Sequence, residues 1–301
     1  MSAGIDIGRS GIKIVSGDKQ LPIIPAVACP AFTIDDRDEA LRASRDTVLV
    51  DGQAWFFGHT AAIHGSAEPG VYAGFEQSVE YEALIAGSIK ACQQVGIAVD
   101  KIVAGVPSES GQAVKDGLSG LFTKHSRGRV KVIAQPAGAL IATSRMHHEI
   151  IAEGSVAAVV DVGRYSTDIA LSVGMRPVTG AYASIPGVRL AVDALAASLR
   201  GKITGTASFD ALETALRTGT FKHMMREVQC ADEIQSARAR LGAEIERALQ
   251  SLITRQKGQV THVVLAGGGA ELVTLSVPTV IAPGGRYAVA TGFAALAANG
   301  M

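Results

Sequence analysis

The chain has few cysteines and no excess of charge of either sign. Its 301 residues include three cysteines, Cys29, Cys92 and Cys230, which lie far apart and form no CxxC pair. This spacing argues against a disulfide framework, a zinc site and an iron–sulfur cluster. Lys plus Arg and Asp plus Glu each number 28, so no overall charge draws the chain to nucleic acid or anionic lipid. We therefore expect a reducing, cytoplasmic location and no strong direct binding to DNA.

Long apolar runs and an N-terminal targeting signal are also missing. No apolar stretch approaches the roughly 20 residues of a membrane span, and the strand that ends at Asp6 is not preceded by a basic and then apolar leader. We expect neither export nor membrane insertion. Small and apolar residues are abundant instead, with 34 glycines and a hydrophobic fraction of 48%. Such a composition is typical of an α/β protein, and the length suffices for two domains.

An aspartate that ends an apolar strand and leads into a glycine turn occurs twice. The first copy is GIDIGRSGIK at residues 4–13, and the second is VVDVGRYSTDIAL at residues 159–171. Aligning IDIGRSGIKI with VDVGRYSTDI places aspartate on aspartate and glycine on glycine. This repeat predicts two lobes of related architecture. A third element, LAGGGAEL at residues 265–272, places three glycines after an apolar strand.

These turns suit a ligand that carries phosphate groups. Glycine at Gly8, Gly11 and Gly163 allows backbone N–H groups to approach a polyphosphate closely. Asp6 and Asp161 could hold the waters of a magnesium ion, which prefers hard oxygen ligands. The P-loop pattern GxxxxGK[ST] is absent, and a strand follows the first turn. One Asp-Gly hairpin is common without any ligand, but two matched copies and a third glycine turn argue against coincidence.

The rest of the chain alternates between strands and helices. TVLVDGQAWFFGH predicts a hairpin that turns at Asp51–Gly52, and PSESGQAV predicts a helix that opens with serine caps. Residues 187–256 are mostly of helical pattern, with a less regular stretch at TGTFKHMMREVQ. THVVLAGGGAELV predicts a strand, a glycine turn and a helix, and YAVATGFAALAANG predicts a final helix.

The order of DIGRSGIK, AQPAGALIA, DVGRYSTD and LAGGGAEL resembles the nucleotide motifs of the actin, sugar kinase and heat-shock chaperone superfamily. THVVLAGGGAELV, QPAGAL and VDGQAWFFGHTA look most similar to ParM-type plasmid-segregation actins. The resemblance implies an α/β, actin-like ATPase fold with two related, ribonuclease H-like lobes around a nucleotide cleft. Lobe I would comprise residues 1–154, with a C-terminal helix at about 286–301 packing back on it. Lobe II would comprise residues 155–285, with a helical subdomain at about 187–256.

The resemblance also implies a role for each motif residue. Asp6 and Asp161 would act on magnesium and on the attacking water, and Lys13 would bind phosphate. Gln135, just before Pro136, would orient the attacking water. The other nucleotide contacts it implies are Gly8, Ser10, Gly11, Gly163, Thr167, Asp168, Gly267, Gly268 and Gly269.

Two of these positions, Asp168 and Gln135, need a separate interpretation. Asp168 takes the place of Lys13 in the repeat, and because an anion there would repel phosphate, a structural or water-ordering role is the stronger interpretation. Gln135 is an amide where ParM proteins are expected to have a glutamate nearby. An amide can hold a water but is a negligible base at neutral pH, so we expect slow, assembly-stimulated hydrolysis.

The resemblance implies a polymerising ATPase that uses ATP or GTP with Mg²⁺, assembles with itself, and reaches plasmid DNA through a DNA-binding adaptor protein. A small-molecule kinase of the same fold is the alternative, but it needs a carboxylate base, and Gln135 has no acidic neighbour in AQPAGAL. Glu109 is the nearest candidate. A chaperone-like ATPase would need a peptide-binding domain, for which we expect no room. Arg189 and Asp193 could reach a ribose, or could simply lie on a solvated helix face.

Overall fold

The computed structural model describes residues 2–65, 67, 69–256 and 259–300. Its contacts divide the chain into two compact units. Unit 1 consists of the residues up to Met146 and those from Arg286 onward, and unit 2 is His147–Gly285. The first stretch of unit 1 thus ends at Met146, whereas the sequence suggested residue 154. Each unit is built around its own five-stranded sheet.

The strands and helices follow one another in mixed order along the chain. The strands are β1 Ser2–Gly8, β2 Gly11–Ser16, β3 Lys19–Gln20, β4 Ala28–Pro30, β5 Thr47–Val50, β6 Gln53–Phe57, β7 Lys101–Val106, β8 Arg129–Ala134, β9 Val156–Val162, β10 Ser166–Val173, β11 Arg176–Pro186, β12 Phe221–His223, β13 Arg226–Val228, β14 His262–Ala266 and β15 Thr279–Ile281. The α-helices are α1 Arg37–Arg45, α2 Gly58–His64, α3 Val79–Gln94, α4 Gln112–Ser126, α5 Gln135–Ser144, α6 Arg189–Ser198, α7 Phe209–Thr218, α8 Ala231–Gln256 and α9 Ala288–Ala298.

The two large sheets have the same topology. The strand order is β3-β2-β1-β7-β8 in unit 1 and β11-β10-β9-β14-β15 in unit 2. In each sheet the first three strands are antiparallel, and the last two join in parallel to the central strand. The internal repeat that the two Asp-Gly motifs predicted is therefore present in the fold. Each motif spans the hairpin of its own sheet, β1–β2 or β9–β10.

The core of unit 1 depends on small residues where the last helix meets the sheet. α9 packs against β1 and α5. A Cβ at Gly4 would overlap the backbone of Ala290, and one at Gly292 would overlap the carbonyl of Gly138. The Ala- and Gly-rich final helix is thus required for close packing. Met301, which the predicted final helix included, lies outside the described residues.

The core of unit 2 is formed by the sheet and by helices α6, α7 and α8. The helical stripe Leu241, Ile245, Leu249 and Leu252 of α8 is buried in it. The stretch at residues 218–229, which the sequence showed as less regular, contains the two-stranded sheet of β12 and β13. None of the helices in the described part of the chain has both the length and the apolar character that crossing a membrane requires.

Two local predictions were wrong. The helix expected after LAGGG is only a three-residue 3-10 turn, Ala270–Leu272, and the backbone is extended again at Val273. Three consecutive glycines are poor helix formers, so they do not favour helix initiation here. α4 begins after Gly111 without a side-chain cap, so the serines of PSES do not cap it. The predicted hairpin at Asp51–Gly52 is confirmed, with φ of +47° and +83° at the two turn residues.

Candidate functional site

The first Asp-Gly turn places an aspartate and a lysine side by side. Asp6 of β1 and Lys13 of β2 are direct partners in the antiparallel ladder, and Gly8 pairs with Gly11 where the turn closes. The Lys13 Nζ donates a hydrogen bond to Asp6 Oδ2 at 3.1 Å. Asp6 is only 5% exposed, so this ion pair is held largely away from bulk water. The spacing of the two residues in the sequence is therefore what brings their charges together.

Gln135 reaches the same carboxylate from a different element. It is the first residue of α5, and its Nε2 donates to Asp6 Oδ1 at 2.8 Å. Both oxygens of Asp6 thus accept a hydrogen bond, one from Lys13 and one from Gln135. Three residues that the sequence assigned to one site, up to 129 positions apart, converge on one carboxylate. The amide oxygen of Gln135 remains as an acceptor that could hold a water.

Glycine at position 8 leaves room for the ammonium group. A Cβ built at Gly8 would lie 2.8 Å from Lys13 Nζ, and one at Gly11 would lie 2.6 Å from Ile23 Cγ2. A side chain at Gly8 would therefore displace the lysine. Ser10 lies in the turn itself and is partly exposed. The absence of side chains at Gly8 and Gly11 is what close approach of an anion to the backbone of this turn would require.

Tyr81 is a neighbour of Asp6 that the sequence did not reveal. It lies on α3 and is buried, and burial raises its pKa, with smaller contributions from the charges of Glu76 and Asp6. Glu76 also lies 3.7 Å from the Arg9 guanidinium in the turn. In the sequence, α3 shows only the apolar spacing of a core helix, which carries no sign of a nearby carboxylate.

The second turn, at residues 163–165, accepts hydrogen bonds from the residues at the start of α6. Gly163 N donates to the Ser166 carbonyl at 2.9 Å. The backbone N–H groups of Gly187, Val188 and Arg189 donate to carbonyls of residues 163–165 at 2.9–3.0 Å. A Cβ at Gly187 would overlap this turn. The carbonyl groups of the turn therefore all accept hydrogen bonds from the start of α6, and these bonds fix the conformation of the turn.

Asp161 and Asp168 are opposite one another on β9 and β10. Asp168 is buried and accepts a hydrogen bond from Ser166 Oγ at 3.3 Å. Thr167 is fully buried, and its hydroxyl has no hydrogen-bond partner among the residues described. The roles assigned to Thr167 and Asp168 stay predictions. Arg189 and Asp193 form an exposed ion pair with each other at 3.5 Å.

The glycine-rich loop after β14 rests on the end of β9. Gly269 N donates to the Val162 carbonyl at 2.8 Å. Gly267 has φ of +83°, and a Cβ there would overlap Asp161 Oδ1. The loop and the aspartate therefore pack directly against each other, and only glycine fits at position 267.

A buried glutamate on α7 connects this loop to the second turn. Glu213 lies 3.1 Å from Arg164 Nε and 2.7 Å from Arg217 Nη2. Arg217 also donates to the carbonyl of Gly268 at 2.8 Å. Arg164 additionally contacts Asp210 and stacks over the Phe209 ring. In sequence the Glu213–Arg217 pair is an ordinary i,i+4 ion pair, so nothing marked it as a link between two loops.

Two family models match the chain, one for each half. The model described as actin like proteins N terminal domain matches residues 4–138, and the model described as archaeal actin homologue MreB-like, C-terminal, matches residues 159–277. No curated protein sequence gave a significant match. Both halves of the chain therefore match actin-like domain models, and the predicted resemblance to the actin-like superfamily is confirmed.

Solved actin-like structures match over nearly the full length. The archaeal actin homologue Ta0583 aligns with a TM-score of 0.76 at 19% identity, with 99% of each chain covered. A ParM from Clostridium botulinum, solved in a 15-stranded filament, aligns with a TM-score of 0.69 at 16% identity, again with 99% of each chain covered. ParM from Bacillus thuringiensis with ATP aligns with a TM-score of 0.64 at 12% identity, covering 99% and 98%. The predicted actin-like fold is confirmed.

The site residues of this actin-like chain fit a hydrated magnesium ion better than a closed metal site. Among the described residues no group of three or more His, Cys, Asp or Glu side chains could hold a metal. Asp6 and Asp161 each offer carboxylate oxygens at the end of a strand. Mg²⁺ usually keeps several waters and is bound by one or two carboxylates together with substrate phosphates. Asp6 supplies one such carboxylate in unit 1, and Asp161 supplies one in unit 2.

We predict that Glu213→Gln destabilises unit 2. Glutamine keeps the size of the side chain but removes the carboxylate that two partly buried guanidinium groups share. We expect a loss of about 1–2 kcal/mol, seen as an earlier thermal transition by circular dichroism. Glu271→Gln, at an exposed position, is the control and should melt with the parent. A Glu213→Gln melting curve identical to the parent's would show that the carboxylate does not hold the two arginines in place.

Proposed function

We propose that this chain is a nucleotide-dependent, polymerising actin-like ATPase of the ParM type, whose dynamic filaments segregate plasmid DNA. The observation that carries the proposal is the Asp6 carboxylate held between Lys13 and Gln135. An ordinary hairpin has no need of a buried ion pair and a converging amide. A site for a magnesium nucleotide needs a carboxylate, a cation for the phosphate and a group that holds water.

Each residue then has a distinct task. Lys13 neutralises phosphate charge. Gln135 forms a hydrogen bond with a water, as acceptor or as donor, but does not remove the water's proton at neutral pH. Asp6 and Asp161 would each hold waters of Mg²⁺, and the metal would neutralise charge on the phosphate oxygens. Catalysis would then rest on positioning of the attacking water without a strong base. Because positioning alone accelerates the reaction less than positioning combined with a strong base, hydrolysis should be slow.

The glycine loop is proposed to border the nucleoside. Gly267, Gly268 and Gly269 follow β14 and present backbone without side chains. Structurally similar proteins have been solved with ADP and with ATP, which supports a nucleotide as the class of ligand. Slow hydrolysis in a polymer would act as a timer, with filaments losing stability after the phosphate is cleaved.

Self-assembly and an adaptor complete the proposal. The neighbouring ParM from Clostridium botulinum was solved as a filament, which supports a homopolymer. Because acidic and basic residues are equal in number, the contact with plasmid DNA is assigned to a DNA-binding adaptor protein rather than to the filament itself.

A small-molecule kinase of the same fold is the alternative. It requires a carboxylate that accepts a proton from the acceptor hydroxyl. Asp6 already accepts hydrogen bonds from Lys13 and Gln135, and Glu109 is exposed on the loop before α4. The filament hypothesis therefore explains the site without requiring a further carboxylate to act as the base.

We expect the purified chain to sediment with ATP or GTP and Mg²⁺, and to stay in the supernatant without nucleotide. Phosphate release per molecule should rise steeply above a critical protein concentration, because only the polymer hydrolyses efficiently. Pelleting and phosphate release across one dilution series measure both effects. A chain that binds nucleotide yet stays in the supernatant at every concentration would contradict the proposal.

A further inference from the structure

A short hairpin in unit 2 carries two methionines in a left-handed turn. His223 and Arg226 form the last pair of the β12–β13 ladder, so Met224 and Met225 are the two loop residues. Their φ angles are +48° and +61°. Two positive φ angles define a type I′ turn, in which Asn-Gly is strongly preferred. Unbranched apolar side chains gain nothing from this backbone conformation.

The hairpin presents these side chains to solvent from an anchored base. Phe221 of β12 is buried and stacks with His223, and the His223 ring contacts the Thr204 carbonyl at 2.8 Å. Met224 is 69% exposed and Met225 is 99% exposed. The base of the hairpin is thus anchored while its apolar tip contributes little to the core of its own chain. Strained residues that do not serve the fold are typical of functional contacts.

We propose that the methionine tip, Met224–Met225, is a contact for a second copy of this chain, and that it docks on the opposite end of that copy's unit 2. The inference rests on the proposed function, because it names the surfaces through which the polymer forms.

The hairpin lies at the end of unit 2 that carries the glycine turns. It directly follows α7, whose Arg217 contacts the Gly268 carbonyl. α8 starts three residues after Val228 and has 26 residues, a length of about 39 Å. The chain then re-enters the sheet at the start of β9, where Thr261 N donates to the Val156 carbonyl at 2.9 Å. The start of β9 is therefore at the far end of the unit.

An apolar surface is exposed at that far end. Val173 ends β10 and Met175 lies in the turn between β10 and β11, and these residues are 47% and 44% exposed. The intervening Gly174 N donates to the Ser155 carbonyl at 3.0 Å, so this turn lies beside the segment that precedes β9. We call the following residues the far-end patch: Glu149, Glu153, Val173, Met175 and Arg176.

The charges of the two surfaces are complementary. Lys222 and Arg226 flank the methionine tip, and Glu227 follows them; all three are exposed. The far-end patch reverses these signs, with two carboxylates and one guanidinium group. Apolar residues at the centre and opposite charges around them are the arrangement expected of a specific contact.

A contact between different ends of one unit is heterologous. Such a contact repeats from copy to copy, and where the rotation does not close it generates an open filament. The two surfaces therefore specify a polymer rather than a closed dimer, as the proposed function requires.

The first test replaces the tip by the residues its turn prefers. M224N/M225G should melt at or above the parental temperature, because Asn-Gly suits a type I′ turn. It should nevertheless need at least about tenfold more protein to sediment with nucleotide. M224L/M225L is the matched control, since it keeps the turn and its apolar surface, and it should assemble like the parent. A folded M224N/M225G chain that assembles at the parental concentration overturns the inference.

The second test identifies the partner surface. K222E/R226E and E149K/E153K should each raise the critical concentration, and a chain that carries all four changes should recover part of the loss. No recovery would show that the tip docks elsewhere, and would overturn the pairing. If the proposed function itself is wrong, the parent will not assemble with any nucleotide. That result would overturn both proposals and is distinct from the outcomes above.

Discussion

Replacing Asp6 by asparagine is expected to abolish the magnesium dependence of nucleotide binding. Asparagine keeps the size of the side chain but loses the negative charge that would hold waters of the metal. Affinity for the magnesium nucleotide should fall by roughly fiftyfold, which corresponds to loss of about 2–3 kcal/mol from charge-assisted hydrogen bonds. Titration calorimetry with ATP, in Mg²⁺ and in EDTA, measures the difference directly.

The same substitution should not weaken metal-free binding. Lys13 now donates to the Asp6 carboxylate at 3.1 Å, and without that carboxylate its ammonium group is free to neutralise phosphate. Nucleotide affinity in EDTA should therefore stay level or rise. Asp18→Asn, in the exposed turn between β2 and β3, controls for a general loss of one charge. An Asp6→Asn protein that is folded and keeps the parental preference for magnesium would refute the assignment of Asp6.

The repeat and the first turn were predictable because their signals are local. An alternating strand, an Asp-Gly turn and a second strand specify a hairpin within a dozen residues. Antiparallel register then places Asp6 opposite Lys13, so residue spacing alone pairs them. The duplicated motif predicted two lobes of related architecture for the same reason. Gln135 entered the site only through the family resemblance, since its contact with Asp6 spans 129 positions.

Elements that lack turn residues were missed. The loop of the β12–β13 hairpin is Met224–Met225, and a sequence without Gly, Asn or Asp at the turn does not predict a type I′ hairpin. The Asp51–Gly52 hairpin, whose turn residues are favourable, was predicted correctly. Where local preference and structure disagree, a role outside the fold is the expected explanation, and this is why the methionine tip stands out.

The network on α7 was hidden for a different reason. Glu213, Arg164 and Arg217 each look like surface charges in the sequence, because a single chain does not show which charges share a partner. In the structure, Glu213 joins the turn after β9 to the loop after β14. The second Asp-Gly turn and the glycine loop, which the sequence treated as separate elements, are therefore mechanically connected within unit 2.

Replacing Gln135 by alanine is expected to slow hydrolysis and to preserve nucleotide binding. The Gln135 amide donates to Asp6 Oδ1 at 2.8 Å, which leaves its oxygen to hold a water. Its loss would remove the proposed water-holding group but not Lys13, so the phosphate contact proposed for Lys13 should remain. We expect phosphate release to fall by about 100-fold, the range that loss of a positioned catalytic group causes. Filaments should still form with ATP and should then persist.

Light scattering and phosphate release, followed together across a protein dilution series, provide the measurement. Gln112→Ala is the matched control, since Gln112 is also the first residue of a helix but bonds to Asp116 at the surface. It should hydrolyse and disassemble like the parent. If Gln135→Ala releases phosphate at the parental rate, Gln135 does not orient the attacking water. Specific activity that stays flat, with no scattering at any concentration of the parent, would instead reject the filament and favour the kinase hypothesis, which a screen of acceptor molecules could then pursue.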